Sequence, residues 1–480
     1  DLTAGTDTRG NVLTSLRTDI DATNLTVTVG SSDGDVTFRD SAVDVTGIMT
    51  LSASAGGVYA SGAAIGSATA GNYVTAQSAV ITTRDGMQSD QSGAHAFLLD
   101  AEQLSVVVTG AGRIWIDNNG DLDITNATTF AGDITVQAAG NLIARNIVAG
   151  LGGQGAITLS TPAPVGGARV GGDALRSISV GRLEGKSVDI TAGTTIDQQN
   201  ASSIEAETLT LLSNEGIDLS GLSIDSIDAA IGGAGDLVLS TVGTGDLEVL
   251  RLVTQDGLID VTSTRSLVLH GYEESMAQET GLFTTSVDGT GASTVTVDVK
   301  TILSGVVAGR SADRTIVDPI TGALPLDVNL TSSAGAIRGT GAIPHVLVDT
   351  DAGGALRLDA QTGLLGLTIN VAELRDLRTV SGGIVVTDQG DTDRNQLLLT
   401  SASARGGDIT IVTEEALKVN AIEGRTGVTD LTLISKGGEL RVVGDNGTFI
   451  SGLDAAGIVE ANGLLANVIL DAEDALVIEN

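Results

Sequence analysis

Residues 188–211 read VDITAGTTIDQQNASSIEAETLTL, and the spacing within them decides the fold. Val188-Asp189-Ile190 at one end and Leu209-Thr210-Leu211 at the other are apolar-x-apolar triplets. In an extended chain, residues two apart share a face, so each triplet turns two aliphatic side chains one way and a polar one the other. The step from Val188 to Leu209 is about 21 residues, a period in the range of solenoid repeats. Two further apolar marks, Ile196 and Ile204, stand between them. Turn-forming stretches such as Thr191-Ala192-Gly193 separate the marks. Three short strands within that step, then a repeat, predict a coil.

The same signal runs along the chain. Leu122-Asp123-Ile124, Ile134-Thr135-Val136, Ile157-Thr158-Leu159 and Ile409-Thr410-Ile411 repeat the triplet, and the steps Ile196 to Ile217 and Leu237 to Leu258 have the same length as Val188 to Leu209. Stacked coils pair equivalent strands in parallel about 4.8 Å apart and align the inward Val, Ile and Leu into ladders. The expected fold class is all-β, a right-handed parallel β-helix (β-solenoid) of about 21 residues and three short strands per coil, with the hand taken from the crossover rule. An antiparallel sandwich is the rival, but three strands in so short a repeat leave its hairpins little room.

Composition agrees. Gly at 64 residues, Pro at 5, no Cys and 2% aromatic residues leave Val, Ile, Leu and Ala to build a narrow core, with Gly at the sharp turns. A net charge of -35 would suit disorder, yet 41% hydrophobic content and positive mean hydropathy oppose it. The only lysines are Lys186, Lys300, Lys418 and Lys436, too scattered to grip nucleic acid or an anionic membrane. No apolar run of about 18 residues is present to span a bilayer. A chain that begins at Asp1 without a signal-peptide pattern reads as a mature product or an excerpt.

The pattern divides the chain into three parts. A solenoid over 1–270 opens with an N-terminal cap or linker over 1–24, where Leu13, Leu16 and Ile20 have partly helical spacing. A lateral excursion over 271–330 gathers Tyr272, Met276, Phe283, Pro319 and Pro325. A second solenoid stretch over 331–480 still follows the strand pattern at Leu476-Val477-Ile478, with no cap, so Leu476 and Ile478 are candidates for contact with another subunit or with more of a larger parent chain. In the triplet frame Val238, Ile259 and Val268 face outward, and an apolar cover is expected there, either the 271–330 segment or a neighbouring subunit.

Two stretches gather oxygen donors, Asp117-Asn118-Asn119-Gly120-Asp121-Leu122-Asp123 and Asp388-Gln389-Gly390-Asp391-Thr392-Asp393. Asp117, Asn119, Asp121, Asp123, Asp388, Asp391 and Asp393 are therefore candidate calcium ligands, although ordinary Asp/Asn/Gly turns read the same way and the fold requires no cofactor. Trp115, flanked by Ile114 and Ile116, should point outward, as an anchor for a partner or beneath a neighbouring loop; Tyr59 and Tyr73 are weaker anchors. A polysaccharide lyase or hydrolase would need clustered carboxylates with bases. Asp123, Asp189, Asp218 and Glu248 fall on separate triplets with no basic partner at similar spacing. His95, His270 and His345 are far apart, have no accompanying Cys, and read as surface or loop residues. The expectation is a chain that is not an enzyme.

Gly132-Asp133-Ile134-Thr135-Val136-Gln137-Ala138-Ala139-Gly140-Asn141-Leu142, followed by Ile147-Val148-Ala149-Gly150, resembles the repeats of filamentous haemagglutinin-like exoproteins and large autotransporter passengers, bacterial β-helix surface proteins of the adhesin kind. So does Gly153-Gln154-Gly155-Ala156-Ile157-Thr158-Leu159-Ser160-Thr161. The resemblance covers 100–270 well and 350–480 more loosely. It implies a right-handed β-helix, secretion to the bacterial cell surface, a structural role in an extracellular filament, attachment or biofilm, and a surface receptor or polysaccharide as partner. It carries no catalytic residues.

Overall fold

A computed structural model describes residues 2–4, 13–16, 20–30, 34–39, 43–61, 74–88, 96–161, 176–271, 273–284, 292–308, 327–341, 343–348, 355–390, 395–420, 422–425, 430–443, 450–451 and 468–479. Among them no helix occurs: the architecture is all-β and solenoid-like, built from strands that pair in parallel with strands one turn of the chain later. Contacts divide the chain into two compact units, Asp1–Asp225 and Ser226–Asn480.

In the first unit one ladder runs Val36, Val58, Met87, Ile114, Ile134, Ile157, Val188, Leu209, each in register with the next. None of the eight is more than 1% exposed. A second ladder, on another side of the coil, runs Val27, Leu51, Ile81, Val106, Ala127, Ile147, Leu183, Ile204. A third contains Leu122, Leu142, Ile178 and Ile196. The three meet in a thin aliphatic interior, and full burial of each such side chain is worth about 1.5–3 kcal/mol, so burial dominates the stability of every rung. Phe38 and Phe97 add an edge-to-face pair, with ring centroids 6.4 Å apart.

Within 1–24, read as an N-terminal cap or linker, the described residues include three short strands. Leu2–Ala4, Leu13–Leu16 and Ile20–Ala22 pair in parallel with Leu25–Val29, Asp35–Arg39 and Val43–Ala53. The helical spacing of Leu13, Leu16 and Ile20 is overridden because the next coil offers these residues strand partners.

In the second unit a ladder runs Leu247, Leu267, Ile337, Leu364, Ile384, Ile409, Leu431, Val468. The long step from Leu267 to Ile337 contains the antiparallel pair Glu273–Thr284 with Ala292–Ala308. Residues 305–308 of the second of these strands then return to parallel pairing with Arg251 to Thr254 and, beyond, with Val346–Val348. Part of the 271–330 stretch is therefore a hairpin set into one coil.

Turns between strands share a device that hydropathy does not reveal. A Ser or Thr at the inner end of a strand points into the core and hydrogen-bonds the backbone of the turn three residues on. Thr129 donates to the Gly132 carbonyl, Ser213 to Gly216 (3.1 Å), Thr379 to Gly382 and Ser435 to Gly438 (3.1 Å). The carbonyl of a turn tucked under the next coil would otherwise be buried without a partner, and a short hydroxyl side chain reaches it.

Candidate functional site

Trp115 sits on Arg113–Asn118 between Ile114 and Ile116, both fully buried, and its indole is on the outer face, half-buried. Its cover is a side chain. The Arg113 guanidinium lies over the ring, 4.8 Å from its centroid, and Arg113 Nε donates to Gln88 Oε1 of the preceding coil at 2.7 Å. Tyr59 is 5% exposed, and burial together with Asp35 and Asp85 pushes its hydroxyl up to about 12, so it is no surface anchor. Tyr73 lies outside the described residues.

The acidic turn after Trp115 is tied together by its own hydrogen bonds. Asn118 is fully buried; its Oδ1 accepts from the Ala101 amide (2.9 Å) and its Nδ2 donates to the carbonyls of Gly120 (3.1 Å) and Asp121 (3.2 Å). Asn119 donates to Asp100 (3.3 Å), Asp121 accepts from the Asn141 amide (2.7 Å), and Asp123 is held by Arg145. Partial burial raises the pKa of Asp117. The oxygen donors therefore face different neighbours, and no group of three or more His, Asp or Glu suited to a metal occurs among the described residues. Asp388 is fully buried and accepts from the Thr413 hydroxyl (2.9 Å), while Asp391 and Asp393 lie outside the described residues.

Of the carboxylates an enzyme would need, two do have basic partners, contrary to expectation. Asp123 pairs with Arg145, and Glu248 with His270 Nε2 at 2.8 Å. Each partner stands one coil later in the chain, a spacing that sequence inspection within a triplet does not test. Asp189 stacks on Thr158 in a different strand ladder from Asp123, and Asp218 is exposed. His345 is interior, 4% exposed, where a surface or loop position was expected; His95 lies outside the described residues.

The outward apolar trio divides. Val238 is on the outer face, half-buried beside Asp260, whose pKa burial raises. Val268 is 3% exposed although both its neighbours, Leu267 and Leu269, face the core, so that outer position is covered. Glu248 and Arg338 flank it in register, and Ala292–Ala308 makes contact with its strand. Ile259 corrects the expectation. It is fully buried and pairs with Leu237, because the coil there is one residue longer than the step from Val188 to Leu209, and the inward frame is Ile259 and Val261 rather than one starting at Leu258. Leu476 continues the Leu397, Leu417, Leu440 ladder and is 48% exposed; Ile478 pairs with Val442.

The buried hydroxyls at the turns were missed, and the signal that would have found them is Ser or Thr three residues before Gly, as in Thr83-Arg84-Asp85-Gly86 and Thr129-Phe130-Ala131-Gly132. Compared with known proteins, the chain matches no family model, no curated protein and no solved structure.

Proposed function

We propose that this chain is a non-catalytic structural segment of an extracellular bacterial surface fibre, wound as a right-handed β-helix with a coil of about 21 residues. One observation carries the reading: aliphatic ladders continue in register from rung to rung, as in Leu183 with Ile204 and Val188 with Leu209, each partner one coil on. Within each unit, described rungs are bonded to their neighbours through backbone ladders and share an apolar interior, an arrangement that needs no ligand. The right hand follows from the crossover rule for parallel strands.

Carboxylates on the outer faces serve as struts in this reading. Arg145 holds Asp123, Arg251 holds Asp228 at 2.6 Å, and Lys436 holds Glu414 at 2.7 Å, each pair tying one coil to the next. The remaining negative charge, from a net of -35, keeps neighbouring fibres apart and soluble. End-to-end contact between subunits would extend ladders such as Leu397, Leu417, Leu440 and Leu476 in this reading. Secretion to the cell surface follows the resemblance to haemagglutinin-like exoproteins, and the stacked coils require no cofactor in this reading.

Negative-stain electron microscopy of the purified chain, with and without calcium, tests the proposal. Thin rods that join end to end, and keep their form when calcium is chelated, are expected. Compact globules would overturn the solenoid, and separate rods at all concentrations would overturn end-to-end assembly.

A further inference from the structure

We infer that one outer sheet face of the first unit is an ice-binding surface, a function independent of whether the chain forms part of a fibre. The face is built by Leu25–Val29, Val43–Ala53, Val74–Thr83, Phe97–Val108 and Leu122–Thr129, stacked in that order. Thr26, Thr50, Val80, Ser105 and Asn126 stand in register as one outward column. Thr28, Ser52, Thr82, Val107 and Thr128 form a second, two residues further along each strand. Between the columns run Val27, Leu51, Ile81, Val106 and Ala127, all buried, which fixes the direction of their neighbours.

This face is uncharged, stiff and open. In a chain with 60 Asp and Glu and 25 Lys and Arg, neither column holds an ionisable group over these five coils, whereas Thr128 leads through Val148 to Glu184 two coils on. Most of the side chains are β-branched Thr and Val, whose χ1 angles are restricted, so docking costs little rotamer freedom. Val80 is 39% exposed, Thr28 and Thr82 are exposed too, and the others are half-buried, as members of a close array must be.

The same features exclude most ligands. Nucleic acid and charged surfaces find no counter-charge here. Backbone N–H and C=O groups are already paired with the coils on either side, so a peptide cannot add as a strand. Two columns of short side chains enclose nothing, and a small soluble ligand needs a concave site. Four steps of about 4.8 Å by two residues of strand give a footprint on the order of 300 Å². That is well short of the roughly 800 Å² per partner of a stable protein interface. A solid that is neutral, extends beyond the patch and repeats in two directions meets all these limits. Rungs about 4.8 Å apart and columns about 6.7 Å apart are close to repeats of oxygen atoms in hexagonal ice. Hydroxyls on such a grid take the places of lattice water, and the methyl groups between them order water against the face.

The test is to grow ice slowly from a solution of the full chain, measure the protein taken up, and read the gap between melting and freezing points by nanolitre osmometry. The chain should be enriched in the ice over serum albumin and should open a gap that widens with concentration. Thr50→Lys and Thr82→Lys should each reduce the gap tenfold or more at equal concentration, with the β signal in circular dichroism retained. Thr82→Ser, which removes one methyl group and leaves the sheet intact, should reduce it less, and Thr135→Lys, on another strand ladder, should leave it unchanged. The inference is overturned if the parent chain enters ice no better than albumin, if the Lys variants keep the parent's gap, or if Thr135→Lys lowers it as much as they do.

Discussion

Arg145 donates from Nε and Nη2 to the two oxygens of Asp123, both at 2.7 Å, across a single step of the stack. Asp228 with Arg251 and Glu414 with Lys436 repeat the relationship, which makes these three outer ion pairs a property of the coil length. Arg145 is largely in solvent, so its pair is open to screening. Arg145→Ala should lower the thermal midpoint slightly at low ionic strength, and the difference should vanish near 1 M salt, where the Debye length is about 3 Å. A difference of equal size at both salt concentrations would mean that packing, not charge, holds this pair.

The ladders make each aliphatic residue matter to two neighbours. Ile134 is fully buried between Ile114 and Ile157. Ile134→Ala should cost about 2–5 kcal/mol and Ile134→Val about 0.5–1.5 kcal/mol. Urea denaturation gives the totals, and hydrogen exchange should show lost protection on the rungs either side. A loss confined to the mutated strand would argue against cooperative stacking.

Interior hydroxyls should be costly to remove. Thr83 is fully buried and donates to the Gly56 carbonyl at 2.6 Å, so Thr83→Val should cost about 1–3 kcal/mol. Thr413→Val should cost more, because its acceptor is the buried carboxylate of Asp388. Paired chemical denaturation curves decide the order, and equal losses would show that the buried carboxyl of Asp388 is no better an acceptor than a backbone carbonyl.

Close stacking of turns predicts a contrast between two glycines. Gly112→Ala places a methyl group against the backbone of Asp85 and Gly86 and should lower the thermal midpoint strongly. Gly30 has nothing within 4 Å of the same position, and Gly30→Ala should be neutral or stabilising by about 0.4–1 kcal/mol through the unfolded chain. Two variants that behave alike would refute the stacking of the Gly112 turn.

His345 links stability to pH. Its backbone N–H donates to the Thr368 carbonyl (2.7 Å), and the Thr368 amide donates back to its Nδ1 (2.9 Å), so the neutral imidazole completes a rung. Burial pushes its pKa below the ordinary 6.5. A histidine depressed in this way contributes stability that is complete above 6.5 and lost as pH falls below it, because the unfolded chain takes up the proton first. Stability near Thr368, followed by hydrogen exchange, should decline between about pH 7 and pH 5, a window that brackets that transition. His345→Gln should flatten that decline; an unchanged profile would assign it to other groups.

The coil and the faces of most strands were legible in the amino-acid sequence, because alternation with period two is a local property and the chain repeats it. Val188 and Leu209, one expected coil apart, do pair, and Trp115 does face outward between two buried isoleucines. Tertiary structure alone settled the rest. Leu258 and Ile259 are adjacent apolar residues, either of which could begin an inward frame, and a slip of one residue exchanges the faces of a strand. Stacking on Leu237 below and Val328 above selects Ile259, and it brings the Ser263 hydroxyl to within 2.9 Å of Thr241. The one-coil ion pairs, the hydroxyls that serve the turns and the imidazole of His345 within the ladder have the same origin. Each joins residues distant along the chain, and their contact exists only once one coil has closed upon another.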